Sequence, residues 1–264
     1  MRNRVAGAWS AAGRVLLFLM SCAAVLIVAG SLGKSVGLWA AALVGTVASV
    51  ATLLLTWIFV RWDGLRLGDV GAAPGRGSGV RFVAGFGLGL MLVAVRTLLT
   101  GTGGHVVWVR TGPLAAGPLM VMLLGYVALA CREELAFRGY TLRRLESAFG
   151  GWVALLVVGI AFALEHRAGG YSWTNALLGA FAGSLLFGMA ALATRGLAVP
   201  IGLHAAWNFG DWLTGGKDAV GIWRLVIKPG YEGHVAHVAM ASYLVVFGLA
   251  TIGFWWRAQH ITTI

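Results

Sequence analysis

Long apolar runs separated by short polar stretches set the pattern of this chain. Eight runs stand out, at about 14–32, 37–60, 80–100, 114–146, 151–167, 173–194, 197–213 and 235–256. Most are long enough for a helix that crosses a hydrocarbon core, which takes about 20 residues. The pattern predicts an all-α, polytopic transmembrane helix bundle of about eight spans. The fourth run is too long for one crossing. Its last turns, from Arg138 through Arg143, Arg144 and Glu146, are expected to project into water. Segments 61–79 and 214–234 are polar and broken by Gly and Pro, and read as linkers. With no repeat, low-complexity tract or second domain in sight, residues 1–264 read as a single integral membrane domain. The N-terminus begins like a signal peptide. It lacks a clear small-x-small site followed by a soluble domain, so the first run is expected to be a retained helix.

Composition agrees with that pattern. The chain is 59% hydrophobic and 11% charged, against about 25% charged in soluble domains. Its mean hydropathy is +0.85. Forty glycines against five prolines fit close-packed helices. Gly85 with Gly89, and Gly179 with Gly183, form small-xxx-small pairs that should let helix backbones approach. Cys22 and Cys131 both fall in apolar runs, which implies packing rather than a disulfide framework.

The net charge of +11 reads as a positive-inside bias. With the N-terminus in the cytoplasm, Arg2, Arg4, Arg14, Arg61, Arg66, Arg76, Arg81, Arg138, Arg143, Arg144, Arg195 and Arg257 lie inside. Lys34, Arg96, Arg110, Arg167, Lys217, Arg224 and Lys228 lie outside, and Arg132 lies within the membrane. The expectation is a plasma-membrane protein with both termini cytoplasmic. The arginines are scattered over separate loops with no continuous basic stripe, which argues against a nucleic-acid partner.

The few charges inside the apolar runs carry the candidate chemistry, because ionisable groups are expensive in a bilayer. In Arg132-Glu133-Glu134-Leu135-Ala136-Phe137-Arg138, Glu134 and Arg138 are four apart and can pair on one helix face. Glu133 points about 100° away. One carboxylate can thus be held by an arginine while the other faces a cavity as a general base. The bland alternative is that both acids only pair with Arg132 and Arg138 to lock the bundle. His166 ends an apolar run one turn after Phe162, with Glu165 beside it as a partner or a water-facing acid. His204, Asn208 and Asp211 form a polar stripe on one helix face. Asp211 reads as an acid at the helix end, Trp207 as a packing residue off the stripe, and Pro200 as an N-terminal proline. At about 1.5 Å per residue, Glu133 and His166 reach similar depths and His204 is shallower.

Two uses of these atoms stay open. A carboxylate that activates water, with His and Asn donors around an oxyanion, suits amide hydrolysis. Glu133, His166 and His204 could instead hold a divalent metal such as zinc. The HExxH zinc-protease pattern is absent.

The stretches EELAFRGY, FALEH and HAAWNF, in this order and each on its own span, resemble the CPBP family of intramembrane proteases. That family is related to the CAAX prenyl endopeptidases and to bacteriocin-processing and self-immunity proteins. The resemblance covers about residues 114–213, the catalytic helices it implies. Carried over by position, it makes Glu133 the water-activating glutamate, His166 its assistant, and His204 with Asn208 the oxyanion site. Glu134 and Arg138 become the supporting pair. Glu165 departs from the family, which often has an apolar residue there. The substrate implied is a membrane-associated peptide or protein. The competing expectations are a non-catalytic scaffold of the same fold and a proton or cation transporter.

Overall fold

The computed structural model describes residues 2–33, 37–112, 115–217 and 221–261. Lys34 and Asp218, and the side chains of Arg2 and Arg4, lie outside the described residues. The helices are α1 (Arg2–Leu32), α2 (Ala40–Trp62), α3 (Ser78–Thr102), α4 (Ala116–Glu134), α5 (Leu142–Phe149), α6 (Gly151–Ala168), α7 (Phe181–Thr194), α8 (Ala198–Leu213) and α9 (Glu232–Ile261). Six helical segments are long and apolar enough to cross a membrane: Gly7–Leu32, Gly37–Trp62, Ser78–Thr102, Gly151–Ala168, Asn175–Thr194 and Glu232–His260. The protein is therefore an all-α integral membrane protein. The other two expected spans, α4 and α8, hold Glu133, Glu134, His204 and Asn208, while Glu165 and His166 end α6.

The chain winds up and down, which gives the bundle two distinct ends. At one, Arg14 pairs with Asp63 just past α2, the Leu197 amide donates to the Gly71 carbonyl, and Arg195 meets Glu146. The C-terminal turns of α9, at Trp255 and Gln259, lie beside Glu146 and Arg195. This end, the terminal end, thus holds the first half of α1 and the last turns of α9. At the opposite end, β1 (Val106–Arg110) pairs antiparallel with β2 (Trp223–Ile227), with Val106 opposite Ile227. This strand end also carries the α6–α7 connection.

Three expectations need correction. The segment 214–234 is not only a linker, because β2 runs through it and β1 precedes α4. Val106, Val107, Val109, Val226 and Ile227 are β-branched, and two connections at the same end of the bundle supply each other's backbone partners. The fourth run is not one helix. It changes at Leu135–Thr141 into a π-helical segment, broken by non-helical Gly139 (ψ −113°), before α5 begins. A π turn uses more residues than an α turn, so the run is shorter along the membrane normal than its length implies. Finally, the two small-xxx-small pairs differ. A Cβ on Gly85 would strike the Val199 carbonyl oxygen, and one on Gly89 would come 2.7 Å from Ala206 Cβ, so α3 and α8 touch backbone to backbone. A Cβ on Gly183 would stand 3.1 Å from Tyr243 Oη, but one on Gly179 would meet open space.

The core at the terminal end is aromatic, with Phe18, Phe59 and Tyr140 in mutual ring contact at 5.1–5.5 Å. Beside it, the buried Asp63 carboxylate accepts from Arg14 and from Tyr140 Oη at 2.7 Å, and forms an ion pair with Arg144, whose Nε lies 2.9 Å away. This knot ties α1, α2, the π segment and α5 together and fixes where α4 ends.

Candidate functional site

Glu134 closes α4 and is completely buried. Its Oε1 accepts from Arg138 Nη1 at 3.3 Å and from His204 Nδ1 at 2.8 Å. Arg138 is equally buried, with its guanidinium 4.4 Å from the Phe162 ring centre, 5.6 Å from Phe187 and 5.7 Å from Phe137. Such stacking holds a planar cation in a low-dielectric wall. The His204 ring stacks on Phe187 at 4.2 Å and 14°. A carboxylate on one ring nitrogen and an aromatic face beneath fix both the tautomer and the direction of the other nitrogen.

That other nitrogen, His204 Nε2, stands 3.6 Å from Glu133 Oε2. The distance is too long for a hydrogen bond, and Oε2 is buried without a partner in the protein. Glu133 is 17% exposed and lies within electrostatic reach of His204, His166, Arg132 and Arg138. The neighbouring glutamates thus play different parts. Glu134 Oε1 is held by two fixed donors while its Oε2 is buried without a partner in the protein, whereas no donor within hydrogen-bond distance holds Glu133, whose Oε2 faces His204 Nε2.

His166 lies across Phe162 from His204, with ring centres at 4.3 Å and 6.2 Å from that phenyl. Its Nδ1 sits 3.0 Å from the Phe162 carbonyl oxygen. A carbonyl only accepts, so Nδ1 carries a proton, and the neutral form of the ring has its lone pair at Nε2. The Asn208 carboxamide oxygen accepts from Lys217 Nζ at 3.1 Å. With the oxygen engaged, the amide NH₂ faces the other way and can donate.

A cavity of about 520 Å³ opens at the strand end, with Phe162, His166, Phe187, His204, Asn208 and Lys217 in its walls. Glu133 is not itself in the wall and meets the cavity through His204. Asp211 is in the wall and is not a bare helix-end acid, because it pairs with Arg96 of α3. Trp207 packs on Tyr243 and Phe247, as expected, and also lines the cavity.

The structure thus gathers Glu133, Glu134, Arg138, His166, His204 and Asn208 around one centre. Sequence reasoning missed three partners. Arg132 turns to Glu165 in a two-pronged ion pair, with its second contact at 2.8 Å, and not to Glu133. The signal was present: positions four residues either side of Arg132 are alanines, so its carboxylate had to come from another helix. Lys217 and Arg96 carried no such signal, because their partners lie on distant turns.

The same geometry bears on a metal. Nδ1 of His204 is committed to Glu134, and Nδ1 of His166 to a carbonyl. Among the described residues, no group of three His, Cys, Asp or Glu side chains converges as a ligand set. Both rings keep Nε2 unengaged, which is also how a metal-ligating histidine is held.

Residues 115–210 match the family described as type II CAAX prenyl endopeptidase Rce1-like. No curated protein matches the chain. The matched segment contains all six residues gathered here, and over that stretch the chain is similar to a family of membrane proteases, the CAAX prenyl endopeptidases.

Proposed function

We propose that the protein is an intramembrane endopeptidase that cleaves a membrane-associated peptide or protein with a water activated by Glu133. The observation that carries this reading is the buried, partnerless Glu133 Oε2 facing a histidine nitrogen at 3.6 Å. A water about 2.8 Å from each atom fits at the apex of that triangle, in reach of both. Glu133 takes a proton from this water, assisted by the Nε2 lone pair of His166, and the hydroxide attacks the peptide carbonyl carbon. The Asn208 NH₂ and His204 Nε2–H donate to the oxyanion. As the C–N bond breaks, Glu133 returns its proton to the departing amine. Glu134 and Arg138 act through His204, holding its ring.

Charge supports the scheme. Three carboxylates (Glu133, Glu134, Glu165) face two guanidiniums (Arg132, Arg138) in this cluster. One proton brings it to neutrality, and a low-dielectric site favours neutrality. Carried by His204, that proton lets Nδ1 donate to Glu134 and Nε2 donate to the oxyanion at the same time.

The working part is the segment 114–213. The protein sits in the plasma membrane with both termini cytoplasmic, as the arginine distribution favours. The test replaces Glu133 with Gln in cells at equal expression, and compares membrane and secreted peptides by proteomics. A set of new peptide termini should vanish, a loss of at least about 10²-fold for a missing general base. Undiminished cleavage in Glu133→Gln would overturn the mechanism. Intact function of the cell without any change in peptides would favour a non-catalytic scaffold.

A further inference from the structure

A second cavity, of about 600 Å³, opens at the terminal end and plays no part in the chemistry above. Its rim is formed by the α2–α3 connection, the first turns of α3 and the α7–α8 turn. Arg76 and Arg81 stand on one side of the rim and Arg195 on the other. Arg195 shares Glu146 at 3.2 Å. Arg76 and Arg81 have no carboxylate within ion-pair distance among the described residues. No acidic residue lines the cavity among the described residues.

Deeper in, the wall turns apolar, through Leu53 of α2, Phe82 of α3, and Cys131 and Leu135 at the α4 boundary. Leu53 is exposed on the bundle surface, so the cavity reaches the lipid-facing side of α2. The rim is pinned rather than loose. The Leu197 amide donates to the Gly71 carbonyl, and a Cβ on Gly71 would stand 2.9 Å from Gly196 Cα.

A cationic rim above an apolar cleft open to the bilayer is the shape of an amphiphile with an anionic head. We propose that this cavity binds an anionic phospholipid, with its phosphate between Arg76, Arg81 and Arg195 and one acyl chain along Leu53, Phe82 and Leu135. Unpaired arginines at the depth of the headgroups attract anionic lipid, and the apolar cleft distinguishes a lipid from a free phosphate ion. The bound chain would lie against Leu135, two residues from Glu133 on the same stretch of backbone. The site stands apart from the peptidase reading, and its test reads lipid, not cleavage.

The test uses the full-length protein in neutral detergent, mixed with phosphatidylglycerol or phosphatidylcholine and examined by native mass spectrometry. Phosphatidylglycerol should be retained preferentially. The Arg76→Gln/Arg81→Gln variant, whose exposed side chains hold no fold contacts, should lose affinity by about tenfold to thirtyfold. Ala73→Trp, which fills the cavity from the connection, should lower retention of both lipids. Millimolar inorganic phosphate should not displace the lipid. Equal retention of the two lipids, an unchanged preference in the arginine variant, displacement by phosphate alone, or displacement by a substrate peptide would each overturn the proposal.

Discussion

Arg132 and Arg138 are both shut away from water, but they depend on different partners. Arg138 shares the Glu134 carboxylate with His204, so its loss would disturb the site as well as the fold. Among the ion pairs of the described residues, Arg132 has Glu165 as its partner and offers a cleaner experiment. Glu165→Ala strands a guanidinium that is 1% exposed, and the expected destabilisation is about 3–5 kcal/mol, read as a lower thermal midpoint in detergent. Replacing both residues with Met should restore most of it, since an apolar pair of similar volume needs no compensation. Lys217 makes a different kind of prediction. If it orients the Asn208 amide, Lys217→Met should lower kcat by about tenfold to a hundredfold while KM stays nearly level. A loss in KM alone would make Lys217 a substrate contact instead. At this scale the six central residues were legible in the sequence, because isolated charges in apolar runs are conspicuous. Their roles within the site were less so. That Glu134 holds the ring of His204 while Glu133 faces its other nitrogen depends on where α8 brings that histidine, and spacing along one helix does not carry that.

At the scale of elements, the decisive contact is α3 on α8, where glycine lets two backbones meet. Gly85 and Gly87 are two residues apart on α3 and make a controlled pair. A methyl at Gly85 runs into the Val199 carbonyl, whereas one at Gly87 meets nothing within 4 Å. Gly85→Ala should therefore lower the thermal midpoint and reduce activity, since the shift moves α8 and with it His204 and Asn208. Gly87→Ala should be neutral or slightly stabilising, by up to about 1 kcal/mol. Equal effects would mean that α3 and α8 do not pack as described. The number and order of the apolar runs was readable from hydropathy alone. The break at Leu135–Thr141 was not, because every residue there is apolar or expected in a helix except Gly139. That break also shortens the run, so counting α-helical rise over the π segment places Glu133 somewhat too far from the terminal end, which accounts for part of the depth difference from His204. The strands were missed for a related reason. Their pairing joins residues more than a hundred positions apart, and two five-residue stretches carry little signal by themselves.

For the whole molecule, the two cavities lie at opposite ends, and the titratable site opens at the end away from both termini. Paired cysteines test which end faces the cytoplasm. With Cys131 replaced by Ala and the buried Cys22 left in place, Arg110→Cys on β1 should react with an impermeant maleimide in intact cells. Arg76→Cys on the α2–α3 connection should react only after permeabilisation. The reverse pattern would invert the orientation inferred from the arginines. Either result carries further than topology. Because the up-and-down winding puts an even number of crossings between the termini, and opens the His204 cavity at the other face, a fluorescent or protease-sensitive tag on either terminus reports the compartment opposite the cavity mouth. The location of the scissile bond can then be read by exclusion, before any substrate is known, and a bulky fusion at either terminus leaves its approach unobstructed.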